Sequence, residues 1–476
     1  PVFILWRMTM ADKYYISKFA KVFSKDDVFA YYHSLRIKPI YVNRMFHELI
    51  QKLAQNNSAE VTTQGLDDNN KEQFMTLVCS LIEYKIFSNE PDYDEKILDR
   101  FQSNLPKPYV QIVYFVMTEN CNLDCSYCFI ENKMDHTLVR EKVMTKERAK
   151  QGLDFFCRLI QQDIAQFDDE KNLIIYGGEP LTNFKVVEYL LKLVKEYKTA
   201  GKLPEKTNVS MISNGTLMTD EIANILKENH VSVAVSLDGA TGCANSCRKF
   251  HDGSDAFDRI TQGIQIATNA GCSCGLSVTL TEETIKSLDQ IEEMVDRYHV
   301  NSLGFNILMT DETFQVAPDY NNKASDFIIR AFEVFRQKGI YEDRIMRKAK
   351  SFTSSKIYLY DCGALGGNQI VVAPDGQVGI CHGYLHSREY FPTTIYDDEF
   401  EPAKDETFLE WNRRTPINMA ECTDCEALGI CGGGCPQNAK NNGPNRSIWD
   451  IDERFCVHAK KTLNWLIWDL YAKTIQ

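Results

Sequence analysis

Apolar and polar residues do not keep one rhythm along the chain. Residues 13–35 alternate around a polar turn at Lys25–Asp27, which predicts two strands, and Lys38–Val42 adds a short third. The period then becomes helical. Met45, Phe46, Leu49, Ile50 and Leu53 share one face of residues 43–55, with Asn43 placed as the N-cap. Residues 70–87 read as another helix. Three strands and then helices predict a small α+β module over residues 1–105, closed where Asn104–Pro108 breaks regular structure.

From residue 108 strands and helices alternate. Strands are predicted at 109–116, 172–176, 208–213, 231–237, 275–280 and 302–308, separated by helical stretches such as 184–201 and 287–298. Repeated strand–helix units of this kind predict an α/β fold, a parallel barrel left incomplete because a closed one needs eight. Its chemistry belongs to the loops at the carboxyl ends of the strands. After residue 355 cysteines, glycines and turns dominate until a last helix at 457–474.

The chain has 476 residues, 44% of them hydrophobic, enough for two or three domains with cores of their own. A net charge of −13 gives a nucleic acid no electrostatic attraction, so no nucleic-acid partner is expected. No apolar run reaches the roughly 18 residues of a membrane span. The apolar opening, Pro1–Met8, lacks the basic region and cleavage site of a signal peptide, and Met8 or Met10 is expected as the natural start. Disulfide frameworks belong mainly to small secreted domains, so the 16 cysteines read as reduced thiolates that bind metal in the cytoplasm.

Cys121, Cys125 and Cys128 form C-x3-C-x2-C directly after the first barrel strand. Three thiolates leave one coordination position open, and soft thiolates suit iron–sulfur clusters. A zinc ion borrowing a distant fourth ligand uses the same spacing, so the spacing alone keeps both readings open. With Tyr127 at the aromatic position, however, the motif resembles the C-x3-C-x-Φ-C signature of the radical S-adenosylmethionine (SAM) enzymes. Tyr176–Pro180, YGGEP, is similar to that family's GGEP motif: its glycines, Gly177 and Gly178, would expose backbone groups, and the Glu179 carboxylate would meet the SAM ammonium. Ser213–Thr216 looks like the ribose-contacting segment, Ser236–Gly239 follows the fourth strand, and Arg248 stands where relatives pair with the SAM carboxylate. The resemblance implies a partial (β/α)6 radical SAM barrel over 106–345. It implies a [4Fe–4S] cluster on the three cysteines and SAM held by Tyr127, Gly177, Gly178, Glu179, Ser213, Asn214, Ser236 and Arg248. SAM chelates the open iron and yields a 5′-deoxyadenosyl radical.

The second cysteine group runs Cys362-x13-Gly376-x4-Cys381, then Cys422, Cys425, Cys431 and Cys435, then Cys456. A double zinc ribbon is the alternative, but the series resembles the SPASM domain, which implies two further [4Fe–4S] clusters within 346–476. Cys422, Cys425, Cys431 and Cys456 would hold the distal cluster. Cys362, Cys381 and Cys435 would hold the nearer one, with an open iron left for water, His382, Asp361 or a substrate thiolate. Cys79, Cys157, Cys272 and Cys274 are expected to pack, and Cys243 and Cys247 to lie toward the substrate side.

SPASM enzymes mostly modify peptides or proteins. The resemblance therefore implies a precursor peptide as partner, with its leader recognised by the N-terminal module, and an electron donor such as flavodoxin or ferredoxin. Among such maturases the open iron favours a Cys-to-carbon thioether crosslink. The alternatives are carbon–carbon crosslinking and formylglycine formation as in sulfatase maturases, which place a carboxylate where this chain has His382. A non-enzymatic multi-cluster electron carrier is the reading from another class, and it has no need of a SAM pocket.

Overall fold

The computed structural model describes residues 13–130, 140–311 and 314–474; the apolar opening with Met8 and Met10 lies outside them. The N-terminal module begins with β1 (Tyr15–Ile16) and the three-stranded antiparallel sheet of β2 (Ala20–Lys25), β3 (Val28–His33) and β4 (Pro39–Asn43). Helix α1 (Arg44–Asn56) starts where expected, with the Asn43 side chain accepting the Phe46 amide. Helix α2 (Asp68–Glu83) is shorter than residues 70–87 predict. The chain turns through a left-handed Lys85, and β5 (Phe87–Ser88) pairs with β1 instead. Ile86 and Phe87 are fully buried in this way, and apolar periodicity alone does not separate that outcome from a longer helix. Helix α3 (Tyr93–Ser103) completes the module.

All six predicted barrel strands form: β6 (Ile112–Val116), β7 (Lys171–Tyr176), β8 (Thr207–Ser213), β9 (Ser232–Ser236), β10 (Cys274–Leu280) and β11 (Ser302–Ile307). Each pairs in parallel with the next. Helices α4 (Lys146–Ile160), α5 (Phe184–Thr199), α6 (Asp220–Glu228), α7 (Phe257–Asn269) and α8 (Leu288–Tyr298) return the chain between them, and α9 (Tyr320–Gln337) follows β11. The sheet continues past these six. β12 (Tyr341–Glu342) joins one edge, before α10 (Asp343–Ser354), and β13 (Gln369–Val372) lies parallel to β6 at the other. β14 (Gln377–Gly379) and β15 (Thr393–Thr394) extend it antiparallel to ten strands. The cysteine-rich C-terminal region is thus hydrogen-bonded to the first barrel strand. It continues through α11 (Glu406–Arg413), α12 (Pro436–Asn442) and the long α13 (Glu453–Thr474).

One large core fills the space between the parallel sheet and its helices. A second joins the two ends of the chain: Ala30, Tyr32 and Ile37 of the N-terminal module pack with Leu463, Leu466 and Ile467 of α13. The Tyr41 hydroxyl adds a 2.5 Å hydrogen bond to the Ile467 carbonyl. Among the described residues no helix is long and apolar enough to cross a membrane.

Candidate active site

Parallel strands deliver four loops to one end of the sheet, and those loops are laced together. The cysteine loop after β6 is pinned to the loop after β9: the Asp124 amide donates to the Lys249 carbonyl at 2.7 Å and the Ser126 amide to the Cys247 carbonyl at 3.1 Å. Cys247 therefore lies against this loop, whereas Cys243 is exposed. From the loop after β7, the Gly178 amide donates to the Thr118 carbonyl at 2.8 Å and the Glu179 amide to the Asn120 carbonyl at 3.0 Å. A Cβ on Gly177 or Gly178 would collide with those same two carbonyls. The two glycines are needed for close backbone approach to the cysteine loop, and the Gly178 amide is spent on that loop rather than exposed as the sequence reading expects.

Glu179 is fully buried. Its carboxylate accepts from the Leu181 amide at 3.0 Å, the Ser213 hydroxyl at 2.8 Å and the Asn214 amide at 2.7 Å. Burial outweighs these bonds and raises its pKa to about 7. A neighbouring cation would hold it ionised. Asn214 donates in turn to the Asn122 side chain at 2.9 Å and lies 3.8 Å from the Cys121 sulfur. Gly177, Gly178, Glu179, Ser213 and Asn214 thus gather around the loop that carries Cys121. Ser236, half-buried, ends β9 opposite Ser277.

Arg248 is buried and paired. Its Nε and Nη2 donate to the two Asp238 carboxylate oxygens at 2.9 and 3.0 Å. The same carboxylate accepts from the Tyr127 hydroxyl at 2.5 Å and the Thr279 amide at 2.9 Å. Asp238 lies inside the SLDG segment singled out by the sequence, but the site set drawn from that segment holds Ser236. The signal for Asp238 was a carboxylate at the carboxyl end of a buried strand, where a charge must find partners.

The ten motif cysteines fall into three groups by mutual electrostatic reach. Cys121, Cys125 and Cys128 lie within electrostatic reach of one another; burial leads, with neighbouring negative charge adding, in raising Cys121 to about 12 and Cys125 to about 11. Cys362, Cys381 and Cys435 form the second mutual set. Cys422, Cys425, Cys431 and Cys456 form the third. Cys431 and Cys435 are only four residues apart yet join different sets. Gly432, Gly433 and Gly434 between them all take left-handed backbone conformations, with φ of 77°, 84° and 68°, which side chains resist. Around Cys435, Asp452 accepts its amide at 3.0 Å and is itself held bidentately by Arg454. Cys362 keeps exposed surface, yet the surrounding protein pushes its thiol up to about 11. Among the described residues no three His, Cys, Asp or Glu side chains converge on a single-ion position.

His382 lies between the first two sets. Its ring stacks on Tyr114 at 4.8 Å and approaches Tyr176 at 4.9 Å and Phe129 at 5.8 Å. Its Nδ1 is buried without a hydrogen-bond partner, and burial lowers its pKa to about 4. Tyr176 feels Cys121 and Cys128 on one side and Cys381 on the other. Of the expected packing cysteines, Cys157 and Cys274 are buried and Cys79 and Cys272 half-buried.

Residues 115–295 match the sequence profile of the radical SAM superfamily. The chain carries a radical SAM domain. That superfamily implies a [4Fe–4S] cluster and SAM, and the curated relatives that the chain resembles are enzymes. Among curated relatives, the radical SAM cyclopropyl synthase TigE of Paramaledivibacter caminithermalis is 23% identical over 449 residues, 88% of this chain and 89% of that protein. The cysteine-type anaerobic sulfatase-maturating enzyme of Clostridium perfringens is 23% identical over 69% of this chain and 89% of its own length. In structure, Streptococcus suis SuiB bound to its precursor peptide SuiA superposes with a TM-score of 0.53 at 14% identity, covering 93% of this chain and 99% of that one. The likeness of fold therefore extends beyond the stretch that the superfamily profile matches.

Proposed function

We propose that this radical SAM enzyme modifies a ribosomally made precursor peptide by joining a cysteine sulfur to a carbon of the same peptide. The observation that carries the reading is the gathering of ten cysteines into sets of three, three and four. Cys121, Cys125 and Cys128 would hold the SAM-binding [4Fe–4S] cluster. Cys362, Cys381 and Cys435 would hold a second with one iron free of cysteine, and Cys422, Cys425, Cys431 and Cys456 a third, in a SPASM domain over residues 346–476. When bound, SAM and these clusters supply a hydrogen-abstracting 5′-deoxyadenosyl radical, an iron that takes a thiolate, and a reservoir for the surplus electron.

The chain's own residues do the rest. Glu179 takes the SAM ammonium, and Ser213 and Asn214 hold that carboxylate in place. Asp238 fixes Arg248 and Tyr127 beside Cys125, and Arg248 faces the SAM carboxylate. Cys362 opens the second set to the substrate, where sulfur and carbon are held for reaction. The peptide loses two hydrogens in all, one as an atom from carbon and one as a proton from the thiol. The N-terminal module, residues 1–105, recognises the leader as a strand added at β2. A flavodoxin or ferredoxin supplies the electron in the cytoplasm.

A second reading, carbon–carbon bond formation, is favoured by the relative that spans most of the chain, whose name is cyclopropyl synthase. A cysteine-containing precursor and its Cys→Ser counterpart, incubated with reduced enzyme and SAM and read by tandem mass spectrometry, separate the two. A thioether in the first and no product from the second supports sulfur–carbon joining. Equal modification of both transfers the assignment to carbon–carbon chemistry.

A further inference from the structure

Two clefts on the outside of the molecule meet at one residue. The first, about 680 Å³, is walled by Lys25 at the end of β2, Asp326 of α9, and Lys460, Lys461, Trp465 and Trp468 of α13. The second, about 580 Å³, lies between α9 and the turn after β10; Glu282 and Lys286 stand on one side, Lys323 and Arg330 on the other, and Asp326 lines it too. Asp326 lines both, so the two clefts adjoin along α9, one beside the end of β2 and the other beside the turn after β10. The inner end borders the turn after β10. Glu282 comes three residues after Thr279, whose amide holds the Asp238 carboxylate.

The outer cleft has a distinct chemistry. Three lysines face one aspartate, on a chain whose net charge is −13. Lys461 reaches Asp326 at 2.7 Å and Lys460 reaches Glu426 at 3.8 Å, so carboxylates are what these ammonium groups meet. Between them Trp465 and Trp468 line the cleft, half-buried, with their N–H groups held by Glu333 at 2.7 Å and Asn464 at 3.2 Å; their rings pack on Phe332 and Tyr471, and what remains exposed is apolar indole surface. An extended peptide sends alternate side chains to opposite faces. A strand with carboxylates on one face and apolar groups on the other therefore matches lysines and indoles together.

We propose that an acidic, apolar-interleaved stretch of the precursor lies in the path these clefts form, leading from leader recognition at β2 to the turn after β10. The inference rests on the peptide-maturase reading and names the surface and chemistry that reading lacks. It is tested with the full chain and two fluorescein-labelled probes, one alternating glutamate with leucine and one alternating lysine with leucine, followed by anisotropy. The glutamate probe binds more tightly, loses affinity as salt rises, and binds about tenfold more weakly to the Lys25→Glu/Lys460→Glu variant. Neither lysine is among the residues gathered around Cys121, so uncoupled SAM cleavage by that variant stays at the wild-type rate. Equal binding of the two probes, or unchanged binding by the variant, overturns the path while leaving the maturase reading intact. If the glutamate probe binds as described but no cysteine-containing precursor gains a crosslink, the surface stands as an acidic-peptide site and the maturase reading falls.

Discussion

The Tyr127 hydroxyl donates to the Asp238 carboxylate at 2.5 Å, and this bond ties the cysteine loop after β6 to the loop after β9. Asp238 simultaneously neutralises a buried Arg248 and caps the Thr279 amide of β10. Three elements of the candidate site share one side chain, so its removal is felt in all three.

Asp238→Asn keeps the shape and loses the charge opposite Arg248. Iron content is expected to persist while SAM affinity, measured by equilibrium dialysis, falls about tenfold, the equivalent of 1.4 kcal/mol. Asp238→Ala, which strands the buried guanidinium, is expected to lower folding stability by about 3–5 kcal/mol in urea titration. Unchanged SAM affinity in the asparagine variant would remove Asp238 from the site.

Cys121→Ala, Cys125→Ala and Cys128→Ala are each expected to abolish SAM cleavage after dithionite reduction. Cys435→Ala belongs to the other set and is expected to retain SAM cleavage while giving no crosslinked peptide. Full crosslinking by the Cys435 variant would exclude the second set from the reaction.

Much of this was legible in advance, and the failures have physical causes. Short apolar runs alternating with helical stretches marked all six barrel strands, because strands of a buried parallel sheet carry near-continuous apolar composition. Asn43 was legible as a cap because a short side-chain oxygen before an apolar helical run has little else to do. The end of α2 was not. Ile86 and Phe87 satisfy both a helix face and a buried strand, and only the partner β1 decides between them. β13 was missed for the same reason: four residues acquire strand structure by pairing with β6, a partner more than two hundred residues away. In the site, the three cysteine sets came from the family resemblances, since spacing alone leaves zinc and iron–sulfur readings open. The roles of Gly177 and Gly178 in close packing, of Asp238 as a shared anchor, and of the His382–Tyr176 contact all depend on which loops meet, and spacing along a chain does not carry that.

The N-terminal module is expected to be necessary for stability as well as recognition. Deleting residues 1–105 uncovers Leu463, Leu466 and Ile467 of α13, each worth on the order of 1.5–3 kcal/mol when buried. The truncated chain is expected to unfold at a lower urea concentration than the full chain, followed by tryptophan fluorescence. Coincident unfolding curves would show that the module sits on α13 without supporting it.

His33, buried beneath Ser17 and crowded by the charge of Arg36, is held at about 3 against an ordinary value of 6.5. Below 6.5 the unfolded chain takes up a proton that the folded chain refuses. This residue therefore contributes a loss of stability as pH falls from about 6.5 to about 3, with a limiting slope of about 1.4 kcal/mol per pH unit and no further loss below. Comparing urea midpoints across pH for the wild type and His33→Gln isolates it, since the other titrating groups are common to both. Parallel pH profiles would contradict the assignment.

The account stands most directly on the three cysteine sets, and metal analysis tests them. Anaerobic reconstitution of the wild type, followed by iron and acid-labile sulfide determination, is expected to give about twelve of each per chain, three cubanes' worth. Losing one set, by Cys121→Ala/Cys125→Ala, Cys362→Ala/Cys381→Ala or Cys422→Ala/Cys425→Ala, is expected to lower both to about eight. Zinc with little sulfide, or iron that stays at four per chain regardless of the second and third sets, would contradict it.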